Sequence, residues 1–286
     1  MTKTRLLRIG RINFANVWPI FYHFPYEQFV NEIEFVSQVP TRLNEKMARG
    51  EIEMGPISSF AYGESFEQYE LFPDLSVSSF GTVHSILLFH RKPLEEIYSG
   101  SFALPTTSAT SVNLLKILIE KFAQGTPSYS FASPALDVMM VGNDATLLIG
   151  DDAIKAQWAN KEYLVTDLGA EWNKMTGQWM SYAIWAVNKQ TIARQPELVG
   201  RIHQAFQQSK RLSLANLNPL AADAKKSLGG DTDYWRRYFN VLNYDFGVPQ
   251  RTGLQLYYDY ALEMKLLDRK VPLQIWCDKS VTQVKE

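Results

Sequence analysis

The chain of 286 residues contains one cysteine, Cys277. Without a second thiol no disulfide can close within it, and a reducing compartment is the expectation. Histidine is also scarce: His23, His84, His90 and His203 are the only four, and no pair is spaced i, i+4. His84 and His90 fall on one expected strand, where six residues span about 20 Å, too far for a shared metal. No metal is expected. The sequence has no GxGxxG or GxxxxGK[ST] segment, so neither a dinucleotide fingerprint nor a P-loop is signalled and no cofactor is expected. It has no G-x-S-x-G elbow, which leaves acyl transfer with little support. Charge of one sign is missing as well. Lys plus Arg number 29 against 30 Asp plus Glu, a formal net charge of −1. Such a surface offers no global field for nucleic acid. No run approaches the roughly 18 apolar residues of a membrane span. The opening MTKTRLLRIGRINF lacks the apolar core of a signal peptide. The expected location is therefore cytoplasmic, with no membrane partner.

What is present reads as an ordinary globular chain with a sizeable core. Strands are expected at 6–12, 34–39, 51–56, 85–89, 101–104, 146–150 and 163–168, with helices between several of them. Thr41 is the expected N-cap of a helix that ends at Gly50, and Gly177 closes a helix over 169–175. From Gln195 onward the pattern is helical, with Pro196 near a helix start. Strands alternating with helices predict an α/β fold with largely parallel sheets. No Pro/Gly/Ser-rich linker marks a boundary. Two lobes joined by extended crossings, with the chain returning to the first lobe, account for that. The expected division is 1–92 plus 190–286 for one lobe and 93–189 for the other.

The most informative segment is Thr106 to Val112, TTSATSV, between a strand end and a helix start. Unpaired N–H groups, the positive end of the helix dipole and several hydroxyls make a natural carboxylate or phosphate cradle there. Simple helix capping is the alternative. Ligands of open α/β sheets gather at the carboxyl ends of strands. Asn16, Ser58, Thr107 and Asp151 each follow an expected strand and can share that rim. Ser85 begins the strand SILLF, where a buried hydroxyl needs a partner. His84 would face the other way on a regular strand, which disfavours a Ser–His pair. The aromatic stretch Trp172 to Trp185 either walls a pocket for a flat ring or packs the lobes together.

Several of these segments together resemble one known family. Arg8-Ile9-Gly10-Arg11-Ile12 with Asn16 and Pro19 is similar to the R-I-G-R-I opening of chorismate dehydratases, which begin the futalosine route to menaquinone. Five further blocks follow in order. They are Val39-Pro40-Thr41 through Pro56-Ile57-Ser58-Ser59, the segment Ser85–Phe89, the helix start Ser108-Ala109-Thr110-Ser111-Val112, Leu148-Ile149-Gly150-Asp151, and Asp167 to Gly177. Asn13-Phe14-Ala15 replaces the family's usual Ser-Tyr-Leu, and Gln178-Trp179-Met180 its Leu-Pro-Phe. The resemblance implies two α/β lobes of the type II periplasmic-binding-protein kind with a ligand cleft between them. It also implies that Asn16 and Ser85 act in catalysis, and that the 107–111 loop (Thr107, Ser108, Ala109, Thr110, Ser111), Gly150 and Asp151 form the substrate cleft. Ser58 is expected to join them.

The reaction so implied removes water from chorismate. Its product is 3-[(1-carboxyvinyl)oxy]benzoate, and no metal or organic cofactor takes part. One substrate carboxylate suits the 107–111 helix start. The other needs a second donor, for which Arg11 is a candidate. The general base stays open between Asp151 and the substrate's own side-chain carboxylate, with the second preferred. A non-catalytic binding or sensor protein for a small carboxylate is the alternative from another class. A sister lyase acting on cyclic dehypoxanthine futalosine is a third reading, and its S-P-C-P-N-D-T opening is absent here. Neither the oligomeric state nor a role for Cys277 follows from the residues.

Overall fold

The computed structural model describes residues 5–278. Two five-stranded sheets organise it. The first has the order β2 (Ile33–Gln38), β1 (Leu7–Ile12), β3 (Met54–Ser58), β10 (Met180–Asn188), β4 (Tyr69–Ser79). The second has the order β7 (Ser128–Ala132), β6 (Ser101–Pro105), β8 (Ala145–Ile149), β5 (Ile86–His90), β9 (Leu164–Asp167). β3, β5 and β8 are buried throughout. Their apolar runs have no solvent face to alternate with.

The sheets are mixed rather than largely parallel. β1 pairs in parallel with β2 and β3, and β6 with β7 and β8. β10 runs antiparallel to β3 and β4, and β5 antiparallel to β8 and β9. The reversal comes from the crossings. The chain leaves the first lobe after β4 and re-enters it as β10, so each crossing delivers a strand that runs against its neighbours.

This pairing also moves the lobe boundaries from those expected. β5 belongs to the second sheet and β10 to the first, so the crossings lie at 80–85 and 177–179 rather than at 92/93 and 189/190. β4, β7 and β10 are not among the strands that the residue pattern predicts. β10 is fully buried until its last residue and carries aromatics at uneven spacing, so no period-2 alternation betrays it.

Helices flank both sheets: α1 (Trp18–Phe21), α2 (Pro40–Ala48), α3 (Ser59–Ser65), α4 (Thr110–Lys116), α5 (Leu136–Met139), α6 (Gly150–Ala159) and α7 (Leu168–Thr176). Five more follow β10: α8 (Lys189–Arg194), α9 (Pro196–Ala215), α10 (Asn218–Leu228), α11 (Thr232–Val241) and α12 (Val248–Glu263). The N-cap of α2 is Val39 with Pro40 as its first residue, not Thr41. Proline fits the first helical position because its missing N–H would be unpaired there anyway. α7 begins on Asp167, whose carboxylate accepts from the N–H groups of Gly169 and Ala170, and it ends at Gly177 in the left-handed conformation. α4 continues as a π-helical turn, Ile117–Phe122. α11 reaches across to the second lobe, where Tyr234 and Trp235 pack edge-on against Trp158 of α6.

Candidate active site

The carboxyl ends of β1, β3, β6 and β8 converge with the first crossing on a cleft between the lobes. About 490 Å³ of space, part of it open to solvent, lies between its lining atoms. Asn16, Ser58, Ser85, Ser108, Thr110, Ser111 and Gly150 all line it. Asn16 and Gly150, 134 positions apart in the chain, are thus brought to one cavity by the two sheets. Its remaining walls are apolar, supplied by Ile12, Phe14, Val83, Ile149 and Tyr182 among others.

Four expected residues do not line the cleft. Arg11 lies with its guanidinium 5.5 Å from the ring centre of Phe21. It neighbours Ile12 on β1 and therefore points to the opposite face of the sheet. Ala109 contributes its backbone carbonyl to Asn113 of α4. Thr107 keeps a buried hydroxyl without a partner near the cleft's edge. Asp151 sits behind the lining, in a bond described below. Among the described residues no lysine, arginine, histidine, aspartate or glutamate lines the cleft. Arg11 is therefore not placed to meet a ligand in the cleft.

The hydroxyl-rich segment does two jobs. Ser108 accepts a hydrogen bond from the Ser111 N–H at 3.2 Å and so caps α4. The Thr110 hydroxyl accepts from the Phe60 N–H at 3.0 Å and joins the start of α4 to the start of α3 across the lobes. Ser58 is held in the same way. Its hydroxyl accepts from the Asn44 side-chain amide at 3.0 Å and from the Ala61 N–H at 3.3 Å. The capping reading of the segment is thus seen directly, and Ser108, Thr110 and Ser111 also line the cleft.

Ser85 and Asn16 differ from these. The Ser85 hydroxyl is buried, and its one internal hydrogen bond is a long 3.3 Å donation to the Val83 carbonyl. The hydroxyl of Tyr238 from α11 is close enough for Ser85 to influence its ionisation, yet it has no partner at hydrogen-bond geometry. The Asn16 side-chain carbonyl is buried without a partner. Orphaned buried polar atoms are uncommon and call for an explanation. A ligand between the lobes supplies one. His84 precedes β5 in a left-handed conformation, φ 59°, with its side chain exposed. The turn, rather than strand alternation, carries it away from Ser85.

Gly150 and Asp151 close the cleft from the second lobe. Gly150 has φ +61°, and a Cβ there would stand 2.7 Å from the Phe14 ring. Only glycine allows that approach. The Asp151 carboxylate accepts from the Ala15 N–H at 3.0 and 3.3 Å. Burial pushes its pKa up to about 6, against the lowering effect of that N–H and of Lys155, with Asp152 adding a small upward push.

Of the aromatic stretch, Tyr182 walls the cleft and donates to or accepts from Ser79 at 3.0 Å. Trp172 and Trp185 lie in the core, and Trp179 packs on Phe80. Of that stretch, then, Tyr182 alone is among the cleft-lining residues. Cys277 is exposed. Among the described residues no group of three His, Cys, Asp or Glu side chains is placed to hold a metal ion. None of the described helices is long and apolar enough to cross a membrane.

Comparison with known proteins agrees with this architecture. An alkanesulfonate-binding protein from Xanthomonas axonopodis pv. citri, solved with MOPS, superposes with a TM-score of 0.73 at 15% identity, covering 96% of this chain and 99% of that one. A protein from Archaeoglobus fulgidus superposes at 0.72 with 19% identity over 91% and 98%. These likenesses show the fold, that of periplasmic binding proteins. The chorismate dehydratase of Thermus thermophilus is 30% identical over 264 residues, 87% of this chain and 93% of that protein. Residues 7–263 match the family model described as menaquinone biosynthesis. The chain therefore belongs to the menaquinone-biosynthesis family that includes this chorismate dehydratase.

Proposed function

We propose that the protein is a hydro-lyase that converts chorismate to 3-[(1-carboxyvinyl)oxy]benzoate and water, acting in the cytoplasm in menaquinone biosynthesis. The observation that carries the reading is the pairing of a family match over most of the chain with a cleft between the lobes that carries no charged side chain on its described wall. That cleft presents two under-used polar groups, the Asn16 amide and the Ser85 hydroxyl.

Chorismate brings two carboxylates and its own driving force. The C3 proton is acidified through the conjugated ring carboxylate. Its removal and the loss of the C4 hydroxyl leave an aromatic ring. The protein's task is to position the ring, stabilise developing charge and assist the leaving hydroxyl. Apolar walls at Ile12, Phe14 and Tyr182 suit the ring. The first turn of α4 with Ser108 and Ser111 suits a carboxylate. Such contacts are worth about 0.3–1 kcal/mol at exposed helix ends and about 2 kcal/mol when partly buried. A neutral cradle is sufficient because its dipoles are already fixed in place by the fold.

We assign Ser85 and Asn16 to the reacting centre, where one donates toward the departing C4 oxygen and the other orients the ring. Neither is a base at neutral pH. Among the described residues the cleft wall carries no Asp, Glu, His or Lys, and burial keeps the Tyr182 phenol protonated, so the substrate's side-chain carboxylate is the favoured proton acceptor. The proton taken from C3 then leaves with the C4 oxygen as water.

The purified protein mixed with chorismate, without added metal or cofactor, should give a product lighter by one water and aromatic in the ultraviolet. Liquid chromatography with mass spectrometry reads it directly. Chorismate returned intact but bound saturably would make this a binding or sensor protein. Intact chorismate without binding would remove the substrate assignment and leave the fold.

A further inference from the structure

Asn16 stands at the middle of a single 3-10 turn, Ala15–Val17, that is too short to hold itself. Its opening N–H, that of Ala15, has no partner within the turn. Phe14, the residue before it, offers no side-chain cap. The partner comes from the other lobe, 136 positions along the chain, as both carboxylate oxygens of Asp151. The same junction is sealed by the Phe14 ring against Gly150. The carboxylate that caps this turn thus touches the backbone immediately before Asn16 and does not line the cleft.

We propose that Asp151 is a positioning residue: its carboxylate caps the Ala15–Val17 turn across the lobe seam and so couples closure of the cleft to the placement of Asn16. The role rests on the lyase reading for its catalytic consequence, whereas the cap itself does not. A group with this job need not exchange protons with substrate, and it acts through one backbone N–H.

The cap is also sensitive to pH, with a sign fixed by linkage. A carboxyl facing water has a pKa of about 3.9, and in the closed seam Asp151 is pushed up to about 6. Asp152 and Lys155 face it from its own helix, and Tyr234 and Tyr238 from α11. The closed form therefore holds the proton more tightly than an open one. Closure is favoured as pH falls through about 6 toward about 4, and the ionised carboxylate above 6 opposes it. Between pH 7.5 and pH 5 this shifts the closing equilibrium by about tenfold.

The test has two arms. In ligand-free protein, hydrogen exchange of the peptide containing Ala15, corrected for intrinsic rate, should show about tenfold more protection at pH 5 than at pH 7.5. At pH 5, where the carboxyl is protonated and its capping oxygen is not opposed by buried charge, Asp151→Ala should lose about tenfold to a hundredfold of that protection. Asp151→Asn, which keeps an acceptor oxygen but does not titrate, should retain most of it and lose the pH dependence. With chorismate, Asp151→Ala should lower kcat at least tenfold by freeing Asn16, and Asp151→Asn should restore most of the loss. Should Asp151→Ala fail to fold, Asp151→Asn alone still reads the loss of pH dependence. Equal protection of Ala15 in all three proteins at both pH values overturns the cap. A folded Asp151→Asn with normal protection but no turnover overturns the positioning role and makes Asp151 a participant in the chemistry. If the wild type makes no product, the lyase reading fails while the exchange arm still decides the cap.

Discussion

Two concavities of this protein invite an anion, and they differ in almost every property. The outer groove beside α9 is larger and more open, with about 1210 Å³ between its atoms, and Arg5, Arg194 and Arg201 line it. The interlobe cleft has about 490 Å³ and no charged group on its wall. Charge alone would favour the groove. Yet Arg201 is paired with Glu32 at 2.8 Å, and Arg5 with Glu53 at 3.3 Å. An exposed pair such as Arg201–Glu32 contributes little, about 0–1 kcal/mol, and the Arg5 guanidinium is already engaged by the buried Glu53. The cleft instead holds fixed dipoles that face inward, away from water, where each polar contact counts for more. Preorganised neutral donors in a closed site can outdo mobile cations at a surface.

The largest expected effect that would break this comparison is in the cleft. Ser85→Ala and Asn16→Ala should each lower kcat by about a hundredfold to a thousandfold, the usual cost of removing a preorganised group at developing charge. Steady-state kinetics with chorismate measure it, and losses below threefold would move the chemistry elsewhere. Gly150→Ala comes next. Its Cβ would stand 2.7 Å from the Phe14 ring at a positive φ, which costs about 1–2 kcal/mol of backbone strain besides the clash. We expect kcat/KM at least tenfold lower with a reduced Tm. Salt gives a smaller readout of the same contrast. Raising ionic strength from about 0.05 to about 0.5 M should change KM by less than about threefold, because no exposed cation binds the substrate. An arginine site would weaken visibly over that range. Smallest of all, Arg194→Ala in the outer groove should leave kcat/KM within about twofold and stability within about 0.5 kcal/mol. A large loss there would reopen the groove as the functional site.

Much of the cleft was legible from residue patterns. Hydroxyl clusters after apolar strands, as at Ser58 and Ser108 to Ser111, predict polar groups at the carboxyl ends of a sheet. Both groups line the cleft. Arg11 shows where such reading stops. As a basic residue in the opening motif it is a candidate cation for the second carboxylate, but strand alternation turns it to Phe21. Which parity of β1 faces the cleft depends on what packs below the sheet. Thr41 failed as a cap for a related reason: the preceding proline already fixes the first helical position, so the chain turns one residue earlier. The antiparallel β10 escaped notice because burial on both faces erases alternation.

The residues by themselves determined the α/β character, the hydroxyl-lined strand ends, the near-zero net charge and the resemblance to one family. These depend on local pattern and composition, which a chain carries before it folds. Only the tertiary structure decided that Gly150 meets Phe14, that Asp151 caps the turn bearing Asn16, and that the cleft wall has no charge. Each of those contacts joins segments from different lobes. Their geometry is set by how two sheets close on one another, and no short-range pattern encodes that.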